Sequence, residues 1–230
     1  WREEGGTEPP ENELAAIESA LAGRYLHPAY TYFWEDITPD QVRAALARLP
    51  RLEKRIAAYA QMVSDEQTVL MRFKGVGRLT KDQALQYGTV GPTARASDIQ
   101  FDVRRDDPYI AYADVPWKVI SDTHGDVYGR TLVRIGELQQ SLNIVRYCLE
   151  NLPAGPIRIA PPRAAPKSEV LSRYEAPRGE LVHFIRTNNT DKVERLDIRT
   201  PSLANWTSVA VSLVNQNLAD IPVVVAAIDP

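Results

Sequence analysis

The sequence is poor in side chains that form disulfides or bind transition metals. It has one cysteine, Cys148, and three histidines, His27, His124 and His183. A single cysteine excludes an intrachain disulfide and favours a reducing, cytoplasmic setting. The cysteine and the histidines stand far apart, without the short spacings typical of zinc sites. Because Cys148 lies within a helical pattern of apolar residues, we interpret it as a small buried residue, with a reactive or ligating thiol as the alternative.

The chain also lacks an excess of basic residues and any long apolar run. With 27 Lys and Arg against 30 Asp and Glu, its net charge is −3, so we expect no nucleic-acid partner. The most apolar segment, Val223–Ile228, is far shorter than the roughly 18 residues needed to cross a bilayer. We therefore expect a protein that is soluble by itself or is held at a membrane by other subunits.

Apolar patterns and clusters of proline and glycine predict how the chain is organised. We expect a flexible end over residues 1–12, a helical bundle over 13–152, a proline-rich linker over 153–167, and a hairpin plus helices over 168–230. The predicted fold class is α+β, mainly α, with a helical bundle and a small C-terminal region of a β-hairpin and helices.

Several predicted helices have local start or stop signals. The segment Thr38–Gln41 is a capping box with proline at the first helical position, and we expect the helix to kink or restart at Pro50. Thr80 is a possible cap of another helix, and Glu13–Gly23 is predicted to be a short helix closed by glycine. The longest predicted helix covers Asp126–Asn151, and its apolar stripe indicates a bundle seam.

The C-terminal region carries strand and turn signals. Two strands are predicted at roughly Gly179–Arg186 and Lys192–Arg199, joined by turn-forming residues at Asn188–Asp191. Two final helices are predicted at about Ser202–Leu218 and Asp220–Ala227.

A first polar motif lies at the start of a segment, 93–125, that we predict to be irregular. It begins Gly91-Pro-Thr-Ala-Arg95, and Arg95 is a permanently charged donor with a planar guanidinium. The possible acceptors nearby are Asp102, Asp106 and Asp107. Two interpretations stay open: a loop held by arginine–carboxylate pairs, or a contribution to a proton path or a subunit contact.

A second polar motif occupies one face of the longest predicted helix. Its members recur at helical spacing and are Asp126, Arg130, Arg134, Glu137 and Ser141. The face mixes favourable and like-charge neighbours. It is consistent with a structural ion network and equally with a proton-coupling network.

Three further motifs follow in order near the C-terminus: Glu175–Phe184, Ile198–Asn205 and Ala219–Pro230. This order resembles the large subunit of nickel–iron hydrogenases, especially the membrane-bound energy-converting type, and the related 49 kDa-type subunit of respiratory complex I. The motif at Gly91 and the polar helix face are similar to blocks that both families share. The resemblance covers the chain from about Ile37 onwards.

The resemblance implies roles for particular residues. Arg178 would donate to the cyanide ligands of an active-site iron, Ser202 would supply a further donor, and Pro177 would form an apolar wall. In these hydrogenases one Cys-x-x-Cys pair follows directly after Asp-Pro, here Asp229-Pro230, and another lies upstream; this sequence contains neither. The chain as given is thus expected to bind no cofactor and to be inactive, whereas the full-length hydrogenase would hold a nickel–iron centre.

The leading interpretation is an oxidoreductase subunit that interconverts H2 and protons in a complex coupled to membrane ion translocation. The resemblance implies partners, a small iron–sulfur subunit and membrane subunits, and a cytoplasmic position peripheral to the membrane. Glu-Ala-Pro-Arg-Gly and Ile-Asp-Pro favour the hydrogenase. The alternatives are a complex I-like subunit of an NADH or F420H2:quinone oxidoreductase without nickel, and a non-catalytic scaffold. Because the chain begins at Trp1, we expect an excised piece that can self-associate through surfaces meant for partners.

Overall fold

The computed structural model describes residues 37–155 and 164–229. The helices in chain order are α1 (Pro39–Asp65), α2 (Gln67–Phe73), α3 (Lys81–Gln86), α4 (Gly91–Arg95), α5 (Val103–Asp106), α6 (Val127–Glu150), α7 (Pro201–Ser212) and α8 (Ile221–Ala226), with a 3₁₀ turn at Leu218–Asp220 before α8. The strands are β1 (Glu169–Ala176), β2 (Gly179–Thr187) and β3 (Val193–Arg199). They form a three-stranded antiparallel sheet in the order β1-β2-β3, which confirms the α+β prediction. The predictions for residues 1–12 and Glu13–Gly23 lie outside the described residues, and the division into domains stays a prediction.

Helices α1 and α6 pack against each other and form one core. The capping box at Thr38 is confirmed, but α1 continues through Pro50 as one helix, so the predicted restart is wrong. The apolar residues on both sides of Pro50, Leu49 and Leu52, are buried against Leu142 of α6. This burial stabilises the turn in which proline removes a backbone hydrogen bond.

Helix α6 lies within one residue of its predicted bounds, because Asp126 caps its N-terminus. Three leucines of its predicted apolar stripe differ in burial: Leu142 and Leu149 are buried, but Leu138 is 43% exposed. The stripe is therefore not a continuous seam. A second core joins the start of α6 to α7 and α8, and its buried members are Val127, Val209, Val224 and Ile228.

The sheet contains a strand that was not predicted from the sequence. Strand β1 pairs with β2 from Glu169↔Arg186 to Ala176↔Gly179, so only Pro177 and Arg178 remain to form the turn. The predicted hairpin of β2 and β3 is confirmed, with an irregularity in register at Arg186/Thr187. The sheet thus presents Pro177 and Arg178 at the tip of a tight hairpin.

None of the helices in the described parts of the chain combines the length and the apolar character that a bilayer crossing requires.

Candidate functional site

The hairpin tip between β1 and β2 carries two of the residues predicted from the sequence. Gly179 follows this two-residue turn as the first residue of β2, and its φ of 129° is a backbone angle that favours glycine. Pro177 is exposed and Arg178 is half-buried. The Glu-Ala-Pro-Arg-Gly motif is therefore a tight turn that projects a guanidinium from a rigid sheet.

The first polar motif, which begins at Gly91, packs its backbone against the backbone of the hairpin tip at Arg178 and Gly179. A Cβ on Gly179 would lie 2.7 Å from the Gly91 nitrogen and 2.8 Å from its Cα. A Cβ on Gly91, which has φ of 68°, would collide with the Arg178 carbonyl and lie 2.7 Å from its carbon. Only two glycines allow this approach, so the start of α4 and the hairpin tip are held together by close backbone packing.

Helix α7 contacts the same turn, at Val90 beside Gly91. The backbone N–H of Val90 donates to Asn205 Oδ1 at 3.0 Å, and Asn205 Nδ2 donates to the Val90 carbonyl at 3.3 Å; both bonds are buried. Ser202 lies in the first turn of α7 and is half-buried. The segments that carry Arg178 and Ser202 therefore pack against one turn, at residues 90 and 91.

Arg178 also holds the end of the described chain. Its Nε donates to the backbone carbonyl of Asp229 and lies 3.5 Å from Asp229 Oδ2. Asp229 has φ of 56°, which is unusual for a residue with a side chain. This contact was not predicted from the sequence, because the two residues are 51 positions apart.

Arg95 lies at the centre of a buried ion cluster behind the hairpin. Its side chain is 1% exposed. Its Nε donates to Glu137 Oε1 at 2.7 Å, and its Nη1 donates to Glu175 Oε1 at 2.8 Å and lies 3.2 Å from Asp102 Oδ2. Three carboxylates from separate segments thus converge on one guanidinium.

A second arginine, Arg104, also pairs with a carboxylate of this cluster. Arg104 Nη2 donates to Asp102 Oδ2 at 2.6 Å, and its guanidinium lies 4.7 Å from the centre of the Trp117 ring. The cluster therefore contains three carboxylates and two guanidiniums, which gives it one excess negative charge when all are ionised.

The buried cluster shifts the pKa values of its members. Burial alone would lower the pKa of Arg95, but Glu137, Glu175 and Asp102 outweigh it, and that pKa is raised. Burial raises the pKa of Glu175 even though Arg95 opposes the shift. Glu175 therefore accepts a proton more readily than an exposed glutamate. The sequence places Glu175 in a motif, but no role for it was predicted.

Tyr109 anchors the backbone at Glu175. The Glu175 N–H donates to the Tyr109 hydroxyl at 3.1 Å, and the hydroxyl lies 3.5 Å from the Glu175 carbonyl. Burial raises the pKa of Tyr109 to about 12, although the hydrogen bond to Glu175 opposes the shift. The end of β1 is thus fixed both by its carboxylate and by its main chain.

The polar face of α6 is divided in the structure. Asp126 accepts from the backbone N–H of Gly129 at 2.9 Å and of Gly75 at 2.7 Å, so it caps the helix. Glu137 is bonded to Arg95. Arg130 is 1% exposed and donates from Nη2 to the Gly77 carbonyl at 2.8 Å. The predicted residues therefore lie on one helix, but Asp126 and Glu137 are hydrogen-bonded to backbone N–H groups and to Arg95 rather than to Arg130.

The described residues do not offer a ligand set for a nickel–iron centre. No group of three or more His, Cys, Asp or Glu that could hold a metal ion occurs among residues 37–155 and 164–229. Cys148 is half-buried on α6. A guanidinium and a hydroxyl, such as those of Arg178 and Ser202, are donors for small anions rather than ligands for soft metals.

Comparison with known proteins supplies the family. A profile described as respiratory-chain NADH dehydrogenase, 49 Kd subunit, matches residues 11–166 and 159–230. The chain is 37% identical over 163 residues to the carbon monoxide-induced hydrogenase of Rhodospirillum rubrum, a match that covers 71% of this chain and 45% of that protein. It is 36% identical over 219 residues to an NADH-quinone oxidoreductase subunit of Dehalococcoides mccartyi, with 94% of this chain and 60% of the relative covered.

A third relative is a subunit of the F(420)H(2) dehydrogenase of Methanosarcina mazei, 29% identical over 230 residues, with 95% of this chain and 61% of the relative covered. The chain thus spans about half to three fifths of the length of these relatives. The motifs at Gly91, Glu175 and Asn205, on which the resemblance to this group rests, meet in the structure. The chain belongs to the family of the 49 Kd subunit of respiratory-chain NADH dehydrogenase, which has relatives among hydrogenases and NADH-quinone oxidoreductases.

Proposed function

We propose that this chain forms one wall of the active-site pocket of an energy-converting hydrogenase large subunit, whose complete polypeptide interconverts H2 and protons. The observation that carries the proposal is the contact between Arg178 and Asp229. Consecutive Cα atoms are about 3.8 Å apart, so residues shortly after Asp229 in a longer polypeptide would begin beside the Arg178 guanidinium. In the hydrogenases that the sequence resembles, metal ligands occupy those positions.

The residues of this chain would orient the group and exclude water. Arg178 supplies charge-assisted donors, Ser202 supplies a hydroxyl, and Pro177 supplies an apolar surface. A nickel–iron centre, when bound, supplies the redox chemistry of H2. Its thiolate ligands must come from parts of a longer polypeptide, because this sequence contains only Cys148.

The buried cluster supports the hairpin tip and is a candidate for proton coupling. Arg95 ties Glu137 of α6 to Glu175 of β1, and Glu175 lies three residues before Arg178. A carboxyl whose pKa is raised by burial can hold a proton close to a redox site. We therefore assign Arg95, Glu137 and Glu175 to positioning of the tip and to proton coupling.

The proposal includes partner subunits and a place in the cell. An energy-converting hydrogenase would pair this subunit with a small iron–sulfur subunit and with membrane subunits, which would hold it at the cytoplasmic face of a membrane. The support is family membership together with the hydrogenase relative from Rhodospirillum rubrum.

A nickel-free, complex I-like subunit is the second candidate. It is favoured by relatives that are named as subunits of an NADH-quinone oxidoreductase and of an F(420)H(2) dehydrogenase. In that case the same hairpin would form a wall near a quinone site.

Activity assays on the native complex separate the two candidates. We expect H2 evolution from a reduced dye, and we expect Arg178→Lys to reduce it about 100-fold, the usual effect of removing one well-placed donor. Arg195→Lys is the matched control, because Arg195 lies in the same sheet, is exposed, and is hydrogen-bonded to Asp197 of its own strand. Quinone reduction by NADH or F420H2 without any H2 evolution would refute the hydrogenase proposal.

A further inference from the structure

Helix α6 buries two guanidiniums, those of Arg130 and Arg134, whose nitrogens are not all hydrogen-bonded within the described residues. Arg130 Nε, Arg130 Nη1 and Arg134 Nη2 are all buried and have no hydrogen-bond partner among residues 37–155 and 164–229. The only hydrogen bond of the Arg130 side chain in the described parts of the chain joins Nη2 to the Gly77 carbonyl. Buried polar atoms in native proteins are almost always paired, so these three nitrogens indicate a missing acceptor.

The nearby carboxylates do not fill this role. Asp126, one helical turn before Arg130, uses both oxygens as acceptors for the backbone N–H groups of Gly75 and Gly129. Glu137 is bonded to Arg95 instead of Arg134. Asp229 lies near enough to favour the charge on Arg134, but its contacts are with Arg178. The two arginines therefore have no ion pair within the described residues.

Burial disfavours the charge on both side chains, although arginine stays protonated in proteins at neutral pH. Burial lowers the pKa of Arg130 to about 10, and the like charge of Arg134 adds to the effect. Burial also lowers the pKa of Arg134. A pKa of about 10 still leaves Arg130 protonated at neutral pH. Two neighbouring positive charges therefore lie close together, and the attraction of Asp126, Glu137 and Asp229 does not outweigh burial. A buried charge without a partner destabilises the fold, and a bound anion would offset that effect.

Gly77 packs closely against the Arg130 guanidinium. A Cβ on Gly77 would lie 3.4 Å from Arg130 Nη1 and 2.7 Å from a methyl carbon of Val224. Gly77 has φ of 61°, so glycine suits this position for its conformation as well as for its lack of a side chain. The region is thus bounded by α6, the Gly77 turn and α8.

We propose that Arg130 and Arg134 form a binding site for a carboxylate anion supplied from outside the described residues. Guanidinium groups bind carboxylates by charge-assisted hydrogen bonds. The two oxygens of a carboxylate can each accept more than one hydrogen bond, so one carboxylate can bind all three of these nitrogens. A phosphate would bring further oxygens that also require partners when buried. The carboxylate can be a free anion or a carboxylate of another polypeptide segment, and the same chemistry recognises both.

Formate is a suitable probe because it is the smallest carboxylate. The full chain is titrated with formate against chloride at constant ionic strength, and the ¹H–¹⁵N signals of the arginine Nε–H groups and the thermal midpoint are recorded. We expect a saturable shift of the Arg130 signal and a rise in the midpoint, neither of which chloride reproduces.

Variants on α6 make the test specific. Arg130→Gln and Arg134→Gln should each weaken formate binding at least about tenfold, since each removes a charged donor from the site. Arg134→Gln keeps the test valid if Arg130→Gln fails to fold. Arg146→Gln is the matched control, because Arg146 lies on the same helix but is paired with Glu53 at 2.6 Å. It should leave the formate response unchanged.

The formate titration has outcomes that would refute the proposed site and outcomes that identify the source of the carboxylate. No saturable formate response, or a response that persists in both glutamine variants, would overturn the proposal. Repeating the titration on the assembled complex then identifies the source: a retained response indicates a free anion, and a lost response indicates a protein carboxylate already in the site. The inference does not depend on nickel or on H2 activity, so it stands or fails separately from the proposed function.

Discussion

The contact between Gly91 and the hairpin tip makes a specific prediction about Gly91→Ala. Alanine at a φ of 68° costs about 1–2 kcal/mol because its Cβ crowds the backbone in the left-handed region. The same Cβ would also lie 2.7 Å from the carbonyl carbon of Arg178, which is too close for unbonded carbon atoms. Relieving this overlap requires the hairpin tip to move, and overpacking of this kind costs about 1–3 kcal/mol more.

Gly88→Ala is the matched control for this prediction. Gly88 has φ of 62°, but a Cβ there would meet nothing within 4 Å. We therefore expect Gly88→Ala to lower the free energy of unfolding by about 1–2 kcal/mol and Gly91→Ala by about 2–5 kcal/mol, measured by urea unfolding. In the complete enzyme only Gly91→Ala should reduce activity, because it displaces Arg178. Equal losses of stability in the two variants would show that the backbone contact is not a constraint on the tip.

Two further predictions concern the buried cluster and its anchor. Arg95→Met should lower the free energy of unfolding by about 3–5 kcal/mol, because it leaves buried carboxylates unpaired, whereas Arg43→Met, at an exposed ion pair, should lower it by about 0–1 kcal/mol. The loss of stability in Arg95→Met should shrink as the pH is lowered, because Glu175 then takes up a proton. A loss that does not change with pH would contradict the assignment of Glu175 to a buried ion cluster. For Tyr109, whose pKa rises from an ordinary value near 10 to about 12 on folding, the stabilising contribution is complete below pH 10 and is lost as the pH rises towards 12. The stability of the wild type should therefore fall more steeply than that of Tyr109→Phe across this range, and parallel unfolding curves would refute the burial of the hydroxyl.

The features that could be predicted from the sequence are those set by neighbouring residues. The capping box at Thr38 and the cap at Thr80 were predicted and are confirmed, because the cap and the residue it bonds are three positions apart. The bounds of α6 follow from the Asp126 cap and the apolar repeat in the same way. Local hydrogen-bond signals of this kind do not depend on the rest of the fold.

Strand β1 could not be predicted in this way. Most of its residues are exposed, so the alternation of buried and exposed side chains that indicates a strand is weak. The strand forms because β2 offers it a complete edge for pairing, which is a tertiary effect. The continuous path of α1 through Pro50 has a similar origin, since packing against α6 outweighs the local effect of proline.

The candidate site was predicted as separate motifs but not as an assembly. Arg95 and Glu175 are 80 positions apart, and no local pattern indicates that they pair. The spacing of Asp126 and Arg130 makes them favourable neighbours on the predicted helix face, yet Asp126 accepts from backbone N–H groups because it is also the helix cap. The structure therefore adds the partners of each side chain, and these separate the ion cluster around Arg95 from Arg130 and Arg134, which form no ion pair within the described residues.

The nickel content of the complete native complex tests the central proposal most directly. The proposal predicts stoichiometric nickel by elemental analysis of the complex that contains this chain, together with H2 evolution that Arg178→Lys reduces and Arg195→Lys does not. An intact, catalytically active complex that contains no nickel would contradict the proposal and would assign the hairpin of Pro177 and Arg178 to a nickel-free oxidoreductase.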